Sequence, residues 1–397
     1  MKKHLIKKGL VFAVIILFIR MSINPSFAVD NAKKSSLSVS DGNILYVGGS
    51  GPGNYTRIQD AINDAENGDT VFVYDDSSPY YEWNITIDKS INLIGEDKNT
   101  TIIDGNYQGN VVVIQSDYVT VNGFKIINCV MENETKYVIY LLDSKNVVIK
   151  DNIISVGENF PIYGIYGIGI FIDNSSYNLI QNNIIFKEGK QCVTRGISVI
   201  YPSDYNNYSG NEIYGYSYGI HTKDSDNNVF YANNIHHNFW GMVIEGISDY
   251  IINNKINNNE YSGIVLHYCR NFLVYGNTIT YNDDDGIVID CCTSFNIISN
   301  NILNNKPRGI YIYNEVFSSG NNISKNNFFN NGKNAYLINI LLPVKIRWYN
   351  NYWGRPRILP KIIFGSLRII IGWYLVGLFP WFNIDLFPAK EPYDIPT

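Results

Sequence analysis

A repeat constrains this chain more than any other feature. A Gly followed by alternating apolar residues recurs at Gly169 (GIFI), Gly196 (GISV), Gly219 (GIHT), Gly241 (GMVI), Gly263 (GIVL), Gly286 (GIVI) and Gly309 (GIYI), at intervals of 22 to 27 residues. An Asn-x-apolar signature shares the period out of phase, beginning at Asn182, Asn211, Asn233, Asn254, Asn277, Asn300 and Asn326, with weaker members around Asp151 and Asn350. A fixed period of this length marks a stacked array of supersecondary units. Short runs with two-residue alternation, cut by Asn and Gly, are strands that send one set of side chains inward and the other outward; no helix produces that pattern. A leucine-rich repeat shares the period but needs a Leu-x-x-Leu-x-Leu signature, and a propeller needs about 40 residues per blade. The prediction is an all-β, right-handed, single-stranded parallel β-helix with coils of about 22 to 24 residues, stacked roughly 4.8 Å apart.

A solenoid exposes its first and last coils, so both ends need covers against edge pairing. In the segment Arg57–Ala65, Ile58, Ala61, Ile62 and Ala65 share one helical face, followed by Gly68 and an alternating strand at Thr70–Tyr74, which predicts an N-terminal capping helix. The stretch Ile358–Phe382 is strongly apolar, but Arg368, Gly365, Gly372, Gly377 and Pro380 interrupt it, whereas a membrane span needs about 20 uninterrupted apolar residues. It is expected to form a C-terminal cap, with membrane insertion as the alternative.

At the other terminus Lys2, Lys3, Lys7 and Lys8 precede the apolar run Leu10–Ile19, and Ser26-Phe27-Ala28 offers small residues to a signal peptidase. Residues 1–28 therefore read as a signal peptide, 29–42 as a flexible leader, 43–69 as the N-terminal cap, 70–355 as the β-helix and 356–397 as the C-terminal cap and tail. Arg20 breaks the first apolar run, which leaves a retained N-terminal anchor as the alternative. Either way the body is expected outside the cytoplasm, secreted or at the cell surface. Net charge is only −5, so nothing in the overall balance recruits nucleic acid or an anionic surface; a polyanion would need a local basic patch.

The segment Ile44-Leu-Tyr-Val-Gly-Gly-Ser-Gly-Pro-Gly-Asn-Tyr-Thr-Arg-Ile-Gln-Asp-Ala-Ile62, then Ser90-Ile-Asn-Leu-Ile-Gly95 and the Gly and Asn repeats, resembles exported β-helix proteins with NosD-like repeats. Asn351-Tyr-Trp-Gly-Arg-Pro356 and Pro388–Tyr393 are similar to the tail of archaeal members. The resemblance covers nearly everything after residue 28. It implies the architecture and an association with carbohydrate binding or sugar hydrolysis; the namesake implies copper-site maturation in the periplasm. No catalytic motif of pectin or alginate enzymes carries over.

Registering the coils on Gly lines up candidate chemistry. Four residues after each Gly lie Lys223, Glu245, His267, Asp290 and Tyr313. Glu245 and Asp290 would sit two coils apart, about 9 to 10 Å, near the upper end for inverting glycosidases, with His267 between them as a candidate base. The competing reading is a solvated strand face with charge pairs between coils. Just before each Gly come Tyr218, Phe239, Trp240, Tyr261, Asp284, Asp285 and Arg308, a mixture of rings, acids and Arg that suits a sugar-binding groove; lateral packing of turn aromatics is the alternative. Asp283, Asp284 and Asp285 form a candidate Ca²⁺ ligand set, or an ordinary turn. Cys269 and Cys292, 23 residues apart, are a candidate disulfide, while Cys129, Cys192 and Cys291 lack a comparable partner. Copper binding is not expected from the scattered His221, His236, His237 and His267. The reading is an extracytoplasmic β-helix that binds polysaccharide or cell-surface glycan along one face. A polysaccharide lyase or hydrolase is one alternative, and a structural or adhesive surface protein another.

Overall fold

A computed structural model describes residues 42–129, 135–157, 167–189, 194–314, 319–340, 344–371 and 374–396. The expected signal peptide, the leader up to residue 41 and Cys192 lie outside them. Gly42–Thr397 is one compact unit with its own core.

The chain winds into a right-handed parallel β-helix. Each coil carries three short strands, as in Trp240–Ile244, Tyr250–Ile252 and Lys255–Asn257, and each strand pairs in parallel with its counterpart one coil on. Equivalent residues therefore stack. Ile197, Ile220, Met242, Ile264, Ile287 and Ile310 form one inward column, and Ile213, Ile235, Ile256, Ile279 and Ile302 another, all fully buried. Burying each such side chain is worth about 1.5–3 kcal/mol.

The Gly column has a steric cause. A Cβ on Gly263 would lie 2.8 Å from the carbonyl oxygen of Gly286, 2.8 Å from Asn282 Nδ2 and 3.0 Å from an Ile279 methyl. Backbone and core leave no room for it. Gly263→Ala should therefore cost about 1–3 kcal/mol as an overpacking change, read as a lower denaturation midpoint at unchanged slope.

The Asn series is the second spine, one residue out of the sequence reading at three coils. Asn152, Asn183, Asn211, Asn233, Asn254, Asn277, Asn300, Asn326 and Asn351 are all buried, and each Nδ2 donates to the next Oδ1 over 2.9–3.1 Å, the last reaching Asp385 Oδ2 at 3.2 Å. Asp151, Asn182 and Asn350 instead occupy the left-handed turn position just before it.

Both ends are covered. The helix Ile58–Asp64 buries Ile58, Ala61 and Ile62 over the first coils, and the Glu82 carboxylate accepts from the Ile58 and Gln59 amides at its start. At the other end Lys361–Ile371 pairs with Leu337–Ile340 and folds back on Tyr374–Asp385 as an antiparallel hairpin. No helix among the described residues is long and apolar enough to cross a membrane.

Candidate functional site

The outward columns of one sheet carry the polar and aromatic residues. The strands Arg195–Ile200, Tyr218–Lys223, Trp240–Ile244, Ile264–His267, Ile287–Asp290 and Arg308–Asn314 lie side by side, and the inward Ile and Gly positions force the intervening residues outward.

The first outward column brings rings together. Trp240 stacks on Tyr218 with centroids 4.8 Å apart, and the Arg195 guanidinium lies 5.7 Å from the Tyr218 ring. Phe239 packs against Trp240 at 4.4 Å and Tyr261 at 4.0 Å, with Tyr261 43 % exposed at the rim. Ser262, Asp285 and Arg308 continue the column. Arg308 holds Asp285 through two bonds of 2.7 Å and lies 3.6 Å from the Tyr311 ring. Burial pushes the Asp285 carboxyl above its usual range, and the Arg308 guanidinium pulls it back. Asp285 is only 1 % exposed, so its carboxylate is spent on Arg308 rather than offered to a ligand. Arg308 borders a shallow cleft of about 500 Å³ shared with Lys306 and Lys333.

The column four residues after Gly forms a chain of charge. His267 Nδ1 is 3.2 Å from Glu245 Oε1, and Nε2 is 3.2 Å from Asp290 Oδ2, with all three side chains about one-third exposed. The imidazole bridges carboxylates on alternate coils. Both ring nitrogens are engaged, so taking a proton from a ligand requires one carboxylate to turn away.

The acidic run does not converge. Asp283 is exposed, Asp284 Oδ2 accepts from Ser262 Oγ at 3.0 Å, and Asp285 pairs with Arg308. Among the described residues no group of three or more His, Cys, Asp or Glu is placed to hold a metal ion, so the Ca²⁺ expectation is corrected. Cys269 and Cys292 stack as expected, the Cys269 amide donating to Cys292 Sγ at 3.3 Å, but both are thiols and not a disulfide. Each points to a backbone carbonyl of the preceding coil, Ile244 at 3.1 Å and Leu266 at 3.3 Å.

Two features escaped the sequence reading. The column two residues after Gly runs from Tyr140 through Phe171 and Ser198 to His221; Phe171 and Ser198 are buried, so it packs beneath the surface, and Tyr137 stacks on Phe171 at 4.5 Å. Its first member lies before the Gly markers begin. His221 sits 5.4 Å from Tyr218, and burial, with Arg195 and Lys223 nearby, lowers its pKa to about 4, so it is neutral in ordinary buffers. At the following turn Tyr118, Tyr177 and Tyr205 hold left-handed backbone, with φ of 58°, 63° and 58°, where Asn146, Asn227 and Asn271 stand in other coils. Tyr177 and Tyr205 stack at 5.1 Å and 1°, both more than half exposed. Bulky residues take that conformation at a cost.

A family model described as periplasmic copper-binding protein (NosD) matches residues 37–247, and one described as right handed beta helix region matches 195–340. The chain belongs to the NosD family. No curated protein matches it. Among solved structures it is similar to the A-module of mannuronan C-5 epimerase AlgE4 from Azotobacter vinelandii, at 13 % identity, covering 73 % of this chain and 92 % of that one with a TM-score of 0.54. Pectate lyase Pel9A, at 14 % identity, covers 79 % of each chain with a TM-score of 0.44. At these identities the likeness is one of fold.

Among the described residues the donors do not fit a copper site of the kind the NosD name implies. His236 Nδ1 and His237 Nδ1 lie 2.8 Å apart, yet the other His236 nitrogen faces Glu212 and no third His or Cys donor joins them among the described residues. His221 is buried beside two cations, and Met242 is in the core. Among the described residues the NosD chain presents an aromatic and charged face.

Proposed function

We propose that this NosD-family chain is an extracytoplasmic protein that binds an acidic polysaccharide along the outer face running from Arg195 to Arg308. The observation that carries this reading is the continuous strip of rings at Tyr218, Trp240, Phe239 and Tyr261, flanked by Arg195 on one side and Arg308 on the other. Rings cover the apolar faces of pyranoses, and a guanidinium at the margin takes a carboxylate or sulfate by charge-assisted bonds, Arg308 with only the edge that Asp285 leaves open. A straight column with one residue per coil suits a linear polymer better than a small molecule. AlgE4, which shares the fold, is named for acting on mannuronan.

A second reading, catalysis on such a polymer, rests on the Glu245–His267–Asp290 chain. One experiment separates the two. Residues 42–397 are screened against alginate, pectate and neutral glucans, with binding and product release recorded together. The binding reading expects retention on the acidic polymers without products, weakened at least tenfold in Trp240→Ala, the loss expected of an anchoring aromatic. Products that vanish in His267→Ala would establish catalysis instead, and no retention on any polymer would reject both.

A further inference from the structure

Net charge hides a strong asymmetry. Between Glu315 and Asp385 the chain has Lys325, Lys333, Lys345, Arg347, Arg355, Arg357, Lys361 and Arg368 and no acidic residue. Four of them, Lys333, Arg355, Arg357 and Lys361, gather around one cleft and make the local basic patch that the overall balance of −5 conceals.

Beside it stands an apolar surface that the fold does not cover. In the C-terminal hairpin the cross-strand pairs Phe364–Phe382 and Ile362–Ile384 share one face. Phe364 is 66 % and Phe382 57 % exposed, whereas Ile363, on the opposite face, is buried against the last coil. The approach to the hairpin adds Ile358 and Leu359, the most exposed large apolar residues of the described chain, at 91 % and 76 %. A large exposed apolar patch on a folded protein marks an interaction surface.

The cations crowd at the edge of this face. Burial lowers the Lys361 pKa, and Arg357 and Arg355 push it further down, so the three repel one another. Arg357 Nε is shielded and has no acceptor. Lys361 and Lys333 lie 5.8 Å and 4.8 Å from the Trp353 and Tyr336 rings, on the walls of a cleft of about 470 Å³ that opens beside Phe364. Cations without a counter-ion among the described residues, next to exposed Phe and Ile, match the anionic headgroups and acyl boundary of a lipid surface. A second copy fits poorly, because a two-fold contact would set this cationic patch against itself. The contact is interfacial, since the open outer edge of Tyr374–Ile384 has no place in hydrocarbon.

We propose that the C-terminal hairpin docks this protein on an anionic lipid surface, with Ile362, Phe364 and Phe382 in the interface and Arg355, Arg357 and Lys361 on the phosphates. The solenoid would then stand off the membrane with its aromatic face free.

Residues 42–397, which contain the whole core and both caps, are tested by flotation with phosphatidylglycerol and with phosphatidylcholine vesicles. The expected result is binding to phosphatidylglycerol only. Each headgroup-facing cation contributes about fivefold, so Arg355→Gln/Arg357→Gln/Lys361→Gln should weaken it about a hundredfold. Phe364→Ser/Phe382→Ser should abolish it with far-UV circular dichroism and unfolding midpoint unchanged. Equal binding to both vesicle types, or full binding by the triple Gln variant, would overturn the proposal. So would a concentration-dependent dimer, dispersed by Phe364→Ser, in a protein that binds neither vesicle.

Discussion

Asn254→Ala is expected to cost about 3–6 kcal/mol, more than any single apolar truncation of one methyl would. Asn254 Oδ1 accepts from both the backbone amide and Nδ2 of Asn233 at 2.9 Å, while its own Nδ2 donates to Asn277 Oδ1 at 3.0 Å and to the Phe230 carbonyl at 2.9 Å. Removing the side chain strands two donors of Asn233 and takes a donor from the carbonyl, all in a buried turn. Each stranded group costs about 1–3 kcal/mol. Asn254→Asp separates geometry from chemistry: its carboxylate still accepts from Asn233 but cannot donate onward, and it meets Asn277 Oδ1 and a carbonyl oxygen head-on. Both variants should unfold at lower denaturant, with Asn254→Asp recovering as pH falls because a protonated carboxyl can donate one bond. A loss under about 1 kcal/mol in Asn254→Ala would mean that water replaces the ladder and that the column is not a spine.

That ladder also shows what the sequence discloses. The Gly and Asn periods are visible because their causes are absolute: a Cβ strikes the next coil, and a buried amide must find its neighbour. The register slipped at Asn182, Asp151 and Asn350 because the left-handed turn position before the ladder favours Asn and Asp as well, so two physical demands write similar letters side by side. A second ladder, Asn238, Asn259, Asn282, Asn305 and Asn331, packs against the Gly column and was not read at all, since it sits among other Asn residues without a fixed apolar partner. The outward face is harder still. Its residues answer to solvent or ligand, not to the next coil, so no period constrains them. The Glu245–His267–Asp290 alignment follows from the Gly register alone, whereas the capture of Asp285 by Arg308 and the dispersal of Asp283 and Asp284 depend on side-chain directions within a turn.

Asp249→Asn should stabilise the protein at neutral pH by about 3–5 kcal/mol, an unusual sign for a buried substitution. Asp249 occupies a third column, after Asn178, Asn206 and Asn228, and its Oδ1 accepts from the Asn228 amide at 2.8 Å as Asn206 Oδ1 does from Asn178. The second atom is where the acid fails. Asn206 Nδ2 donates to the Ser203 carbonyl at 2.8 Å and to the Ser175 carbonyl of the preceding coil at 3.0 Å. At the same place Asp249 has Oδ2, which has no partner and fills the space above Gly246. Burial raises the carboxyl from 3.8 to about 8, so the folded protein keeps the proton that the unfolded chain releases. Below pH 4 both states are protonated and the residue carries no penalty. As pH rises from about 4 to 8 only the unfolded state ionises, stability falls, and above 8 the loss levels off. An amide has no such proton to lose and donates from the same place at every pH. Unfolding midpoints of wild type and Asp249→Asn should therefore lie close together at pH 4 and separate steadily toward pH 8; parallel profiles would show that Asp249 is ionised in the folded state and that a cation or water serves Oδ2.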